Sequence, residues 1–359
     1  MHFGLTEEQL LLQETLRRMS VEQMPTERLR ECIDAGSGFD EALWQAAAQV
    51  GLPGLVVPEE YGGAGLELLD LALAFEVLGE EALPGPFLGH ALATLAIARG
   101  GSPEQRERWL PRLASGEAIG GCALAEGGGG WQPQDWRLVE EAGQIRGRKR
   151  FAEIGPRCDL VIVGLEGGAL ALVEPQAPGA EVVALDGIDR SRPLADLVLE
   201  AAPCERLDGA EGLATALADA GCVLLAADAL GAAWKLVRTT VEYALVREQF
   251  GTPIAQFQAV KHQLADMAMA AEPMRGLVWH AAYVQDHRPE AARREAATAK
   301  AHVTEQAVGI GRQAVQLHGG IGFTWECDVQ FWVKRTMHDR TWLGAPEGHR
   351  ARIADLAGG

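Results

Sequence analysis

The chain has 359 residues, with 32 Lys and Arg against 50 Asp and Glu, and a formal charge of −18. Apolar residues make up 48%, enough for a buried core in two or three domains and too many for a disordered chain. The acidic surplus excludes nucleic acid or an anionic bilayer as the main partner, because both select Lys- and Arg-rich faces. Any polyanionic ligand must therefore find its cations locally.

Met1 to Ser20 carries Glu7, Glu8, Glu14, Arg17 and Arg18, which predicts neither a cleaved leader nor a membrane anchor. From Leu5 to about Ser115 apolar residues recur at helical spacing, as in Leu12, Leu16 and Met19, then Leu68, Leu71, Phe75 and Leu78. Pro53-Gly54 and Tyr61-Gly-Gly-Ala-Gly65 interrupt the pattern as loops. From about Ala118 to Leu207 the texture becomes strand-like, in Asp159–Gly164, Ala169–Val173 and Glu181–Leu185, bounded by Gly, Pro and Asp. Helices return after about Ala210. Val223, Ala227, Leu230, Trp234, Val237, Val241 and Leu245 predict one apolar stripe on a long helix. A second helix is expected from about Gln256 to Val284, kinked at Pro273, and a third from Pro289, a good first helical residue, to about Leu317. A shorter helical pair closes the chain. The composition divides it into a helical domain (1–117), a β domain (118–207) and a helical bundle (208–359).

Cys32, Cys122, Cys158, Cys204, Cys222 and Cys327 are scattered without a C-x-x-C pair, which predicts reduced thiols in a cytoplasmic protein. The nine histidines form no H-E-x-x-H and no tight cluster with carboxylates, so no metal site is expected. The run Gly127–Gly130 lacks the Lys-Ser/Thr of a phosphate loop and reads as a turn.

Two polar segments stand apart. Tyr243-Ala-Leu-Val-Arg247-Glu-Gln-Phe-Gly251-Thr-Pro-Ile254 puts an Arg at a helix end that Gly251 and Pro253 then break, before Gln256, Gln258, Lys261, His262 and Gln263. A guanidinium among several amides at a helix corner suits a hydrogen-bonding anion such as pyrophosphate. A cation beside a helix macrodipole with solvated neighbours gives the same pattern. Gln316-Leu-His-Gly319-Gly320-Ile-Gly322 closes the third helix, where the glycines either admit a ligand to backbone amides or simply cap the helix.

Together with Gly51-Leu-Pro-Gly54-Leu, Pro58-Glu-Glu-Tyr61-Gly-Gly-Ala-Gly65, Cys122-Ala-Leu-Ala-Glu126-Gly and Lys261-His-Gln-Leu-Ala-Asp266-Met267, these segments resemble the acyl-CoA dehydrogenase family over essentially the whole chain. The resemblance implies an α+β fold: an N-terminal α-helical domain, a β-barrel-like middle domain and a C-terminal four-helix bundle. It also implies FAD as cofactor, an acyl-CoA thioester as substrate and electron-transfer flavoprotein as redox partner. In the family a carboxylate removes the C2 proton while the flavin takes a hydride from C3. A weakly acidic α-proton requires such a base, acting with hydrogen bonds to the thioester carbonyl.

The sequence departs from the family at the base. Counting without gaps from Gly320 brings Leu343, followed by Gly344, to the common glutamate position, and the alternative position at the start of the long helix is Gly221. Neither residue accepts a proton. On the flavin side, Ala125 stands for a hydroxyl residue, and Phe151-Ala-Glu153-Ile-Gly155 replaces a Trp-Ile-Thr-Asn-Gly strand, bringing a carboxylate near an electron-rich ring. The residues that the resemblance assigns to the ADP half persist: Arg247, Gln249, Phe250, Gln258, Gln316, Gly319 and Gly320. The implied reading is a chain that completes the FAD site of a homologous catalytic subunit in an α2β2 tetramer acting on bulky or steroid side-chain acyl-CoA. Two alternatives remain: a self-sufficient homotetramer whose base has moved to Glu347 or Asp228, and a non-enzymatic scaffold.

Overall fold

A computed structural model of the chain describes residues 4–209 and 211–358. Ala210 and the extreme ends of the first and third predicted domains lie outside the described residues. The helices α1 (Glu7–Gln23), α2 (Thr26–Ala35), α3 (Glu41–Gln49), α4 (Leu68–Glu80), α5 (Phe87–Gly100) and α6 (Pro103–Ala114) come first. Thr6 and Ser102 each close a capping box with the glutamine three residues on, fixing where α1 and α6 start.

The β region holds two four-stranded sheets. One has the order β1 (Gly120–Ala123), β4 (Leu160–Gly164), β5 (Leu170–Val173), β8 (Glu205–Arg206). The other runs β2 (Glu140–Glu141), β3 (Gln144–Ala152), β7 (Leu194–Pro203), β6 (Ala180–Leu185). An isolated bridge between Cys122 and Glu153 joins the two sheets. Strands β1, β4 and β5 are buried along their whole length, which explains their unbroken apolar runs. Edge strand β6 is partly or fully exposed at every residue.

The remaining helices are α7 (Leu213–Val246), α8 (Gln258–His287), α9 (Pro289–His318), α10 (Val329–Thr341) and α11 (Pro346–Gly358), with the short hairpin β9 (Glu248–Gln249) and β10 (Thr252–Pro253) after α7. Pro273 lies inside α8 without ending it. Helix α7 is long and apolar enough to cross a bilayer, yet its apolar window is 83% buried, the pattern of a core helix. Leu224, Leu225 and Ala226 are as buried as the predicted stripe residues Val223, Ala227 and Leu230, whereas Leu245 emerges to 58% exposure. The helix is thus buried all round in its middle, Asp228 included, and becomes exposed toward its C-terminal end.

The chain forms two compact units. One comprises the residues up to Leu71 and Pro84–Gly221; the other comprises Ala72–Leu83 and the residues from Cys222 onward. The second half of α4 belongs to the latter because two glycines let it touch the α7 backbone. A Cβ on Gly79 would lie 1.9 Å from the Asp228 carbonyl oxygen, and one on Gly231 would lie 1.8 Å from that of Glu76. Arg335 of α10 locks the crossing. Its guanidinium donates to both carboxylate oxygens of Asp228 (2.7 and 2.8 Å) and to the Leu83 carbonyl (3.1 Å), all within the core.

Candidate functional site

The segment after α7 is shaped by a tight turn. Thr252 pairs with Gln249 and Pro253 with Glu248, and the two residues between have φ of 55° (Phe250) and 76° (Gly251). Positive φ at both central positions twists the hairpin correctly, and Gly251 suits it, but Phe250 adopts it against its Cβ. The strained ring is 94% exposed and touches Phe257 edge-on at 6.1 Å. The Ile254 amide donates to the Arg247 carbonyl (2.8 Å), closing the loop. Arg247 and Gln249 are exposed, as is Gln258, the first residue of α8. This corner therefore presents a guanidinium, amides and an aromatic ring to its surroundings.

The second segment ends α9. Gln316, Gly319 and Gly320 are exposed; Gly319 has φ 66°, and an added Cβ at either glycine would meet nothing within 4 Å. His318 between them is buried, its Nδ1 donating to the Ala314 carbonyl (2.8 Å). The two segments meet through a contact the sequence reading did not single out. Tyr243 stacks on His318 with ring centroids 4.3 Å apart, and its hydroxyl donates to the His318 carbonyl at 3.2 Å. The available signal was the helical spacing from Tyr243 to Arg247, one turn apart.

Leu343 forms the corner between α10 and α11. It is fully buried with φ 59°, followed by Gly344 at 104°, and its carbonyl faces His349 Nε2 at 3.1 Å. Gly221 is buried within α7. The two fallback bases are placed against that role. Glu347 is exposed on the first turn of α11 and bonded to Arg340 at 2.6 Å. Its own backbone amide, then Arg340 and Arg350, hold its carboxyl below the usual range. Asp228 is fully buried with both oxygens on Arg335. Proton abstraction needs an accessible carboxylate with a pKa near the working pH, and neither residue combines these.

The β region corrects one expectation. Glu153 does not present a carboxylate to a ligand. It is fully buried, accepts from the Gly89 amide (3.0 Å) and lies 3.6 Å from the buried Arg192 guanidinium, so its charge is compensated inside the protein. Ala125 is likewise buried, its carbonyl accepting from the Arg150 amide at 2.8 Å. Glu126, next to it, receives Lys149 Nζ (2.6 Å) and the amides of Arg137 and Leu138. Burial alone would raise its pKa, but these donors bring it below the ordinary value. The adjoining Gly127, Gly128 and Gly129 face open space in a turn rather than a phosphate loop. Among the described residues no group of three His, Cys, Asp or Glu side chains could hold a metal ion.

Residues 6–117 match the N-terminal domain of acyl-CoA dehydrogenases, and residues 211–357 match the C-terminal domain. The chain is 34% identical over 341 residues to the acyl-CoA dehydrogenase IpdE2 of Mycobacterium tuberculosis, covering 95% of this chain and 94% of that one. The chain belongs to the acyl-CoA dehydrogenase family. Among solved structures, the steroid ACAD Tcur3481-Tcur3483 superposes with a TM-score of 0.91 at 31% identity, covering 98% of both chains. The ChsE4-ChsE5 complex from Mycobacterium tuberculosis gives 0.91 at 28% identity, covering 100% of this chain and 99% of that one.

As an acyl-CoA dehydrogenase, the chain has the helical–β–helical order that the resemblance implied. What sequence reasoning missed lies in side-chain direction. Nothing in Phe151-Ala-Glu153 indicates that the glutamate turns inward, because its partners Gly89 and Arg192 are distant in sequence.

Proposed function

We propose that this chain is one subunit of a heteromeric, FAD-dependent acyl-CoA dehydrogenase, an α2β2 assembly in the cytoplasm that desaturates a bulky acyl-CoA such as a steroid side chain. Its role is to complete the flavin site of a homologous subunit that carries the base. One observation carries the reading. The guanidinium, amides and glycines suited to a dinucleotide stand exposed after the end of α7, at the start of α8 and around the end of α9, while the base position holds a buried leucine. The likeness to the Tcur3481-Tcur3483 steroid ACAD and to the ChsE4-ChsE5 complex supports both the heteromeric assembly and the substrate class.

The residues present fit half of FAD. Arg247 supplies the charge for the pyrophosphate, and Gln249, Gln258 and Gln316 supply neutral hydrogen bonds. Phe250 offers a ring face, and Gly319 and Gly320 leave room for a ligand against the backbone. The flavin ring fits less well, because Ala125 has no hydroxyl and Glu153 is committed to Arg192. FAD supplies hydride acceptance from the substrate C3, with electron-transfer flavoprotein receiving the electrons. This chain binds and orients; the C2 proton goes to a carboxylate on the partner.

A homotetramer using Glu347 or Asp228 is disfavoured by the ion pairs that hold both. A scaffold without ligand gives no reason to keep Arg247 and Gln316 together as exposed polar groups at two helix ends. Purification through a tag on this chain tests the proposal. The expected result is co-purification with a homologous chain, one FAD per pair and activity only in the pair. Stoichiometric FAD and acyl-CoA oxidation by this chain alone would falsify it.

A further inference from the structure

The two segments proposed to hold the ADP half end different helices, and their relative placement must be fixed for both to engage one ligand. The Tyr243 side chain links them. The Arg247 amide donates to the Tyr243 carbonyl (2.9 Å), so Tyr243 sits one helical turn before the guanidinium. The Tyr243 hydroxyl then donates to the His318 carbonyl (3.2 Å), where α9 gives way to the 3-10 turn Gly319–Phe323. The stacked rings, 4.3 Å apart and tilted by 21°, resist sliding of one helix end past the other. His318 is itself anchored. A carbonyl can only accept, so Nδ1 carries the proton that bonds Ala314, and burial lowers the ring pKa and keeps it neutral. The next residue, Gly319, donates its amide to the Gln316 carbonyl, so the loop is folded directly onto the braced turn.

We infer that Tyr243 and His318 are a positioning pair for the dinucleotide end of the site: their stack and hydrogen bond set the placement of Gly319 and Gly320 relative to Arg247. The inference rests on the flavin reading above. Neither side chain needs to touch the ligand. Their effect falls on the ADP half alone, because both flanking segments belong to it. That restriction separates positioning from general helix packing.

The test uses the complex purified through this chain, stripped of flavin and rebound with FAD or with riboflavin, which lacks the pyrophosphate and the adenosine. Tyr243→Phe keeps the stack and loses one hydrogen bond, and FAD affinity falls about 3- to 10-fold. Tyr243→Leu loses both contacts, and the loss exceeds that of the Phe variant. Riboflavin affinity stays at the wild-type value in each. Equal losses for FAD and riboflavin, or unchanged FAD affinity in both variants, overturn the positioning role. If the Leu variant does not fold, the Phe variant decides, since it removes a single oxygen. A wild-type complex that takes up no FAD overturns the flavin reading and this inference with it. A wild type that binds FAD beside indifferent variants overturns this inference alone.

Discussion

Replacing Asp228 with Asn separates a structural carboxylate from a relocated base. In the folded chain Asp228 is fully buried and both oxygens accept from Arg335, at 2.7 and 2.8 Å. Asparagine keeps one acceptor but turns an NH2 toward the guanidinium, so Arg335 loses the negative charge that it bonds through two oxygens. Removing one partner of a buried ion pair costs about 3–5 kcal/mol. The isosteric amide belongs at the lower end, because the Leu83 carbonyl still accepts from Arg335. Against a total stability of roughly 5–15 kcal/mol, such a loss lowers the denaturant midpoint severely. Urea unfolding followed by tryptophan fluorescence reads it directly, since Trp234, Trp279, Trp332 and Trp342 all lie in this unit. Replacing both residues, as Asp228→Asn with Arg335→Met, should recover part of the loss, because the buried guanidinium is removed along with the carboxylate that bonded it. A single variant with an unchanged midpoint but no turnover in the assembled complex would refute this reasoning and make Asp228 the base.

Other outcomes follow from the same structure. His90 and His349 are buried, and burial lowers each from 6.5 to about 4. The unfolded chain therefore binds more protons between these values. Stability is intact above pH 6.5 and is lost as pH falls toward 4, by up to about 3 kcal/mol per histidine. Urea midpoints at pH 7 and pH 4.5 measure this, and His90→Gln should flatten its share of the slope. Phe250→Gly relieves a left-handed aromatic residue, so the isolated chain should gain about 1 kcal/mol while the complex loses FAD; a stability loss in the isolated chain would contradict the strain. Gly231→Ala puts a methyl 1.8 Å from the Glu76 carbonyl oxygen, and soluble yield and melting temperature should both fall sharply. Glu347→Gln should leave turnover of the complex unchanged, because the exposed carboxylate is held by Arg340.

The elements legible in the sequence were those whose burial follows a period. The third long helix was expected at 289–317 and is observed as Pro289–His318, with the proline start and glycine stop acting as local signals. Strands β4 and β5 were visible for a similar reason, as buried apolar runs between turn residues. What could not be read depends on partners far along the chain. Phe250 occupies a conformation that its side chain disfavours, and only the pairing of β9 with β10 accounts for it. Glu153 looks like a surface substitution until Arg192, 39 positions later in the sequence, supplies the opposite charge. The division of α4 between two units is likewise invisible in its uniform apolar pattern, because it is decided by glycines at opposite ends of a crossing.

That crossing bears on how the chain emerges from the ribosome. The Leu83 carbonyl waits for Arg335, and the Glu80 carbonyl for the Trp332 indole, each 252 residues downstream. Neither bond can form until nearly the whole polypeptide has been made, so the end of α4 is translated early and satisfied last. Loop closure on that scale is slow, and meanwhile the apolar face of α4 is open to holdase chaperones and to misassembly. Synthesis of a shortened chain ending before α10 should yield a protease-sensitive α4 even where the β region is already protected.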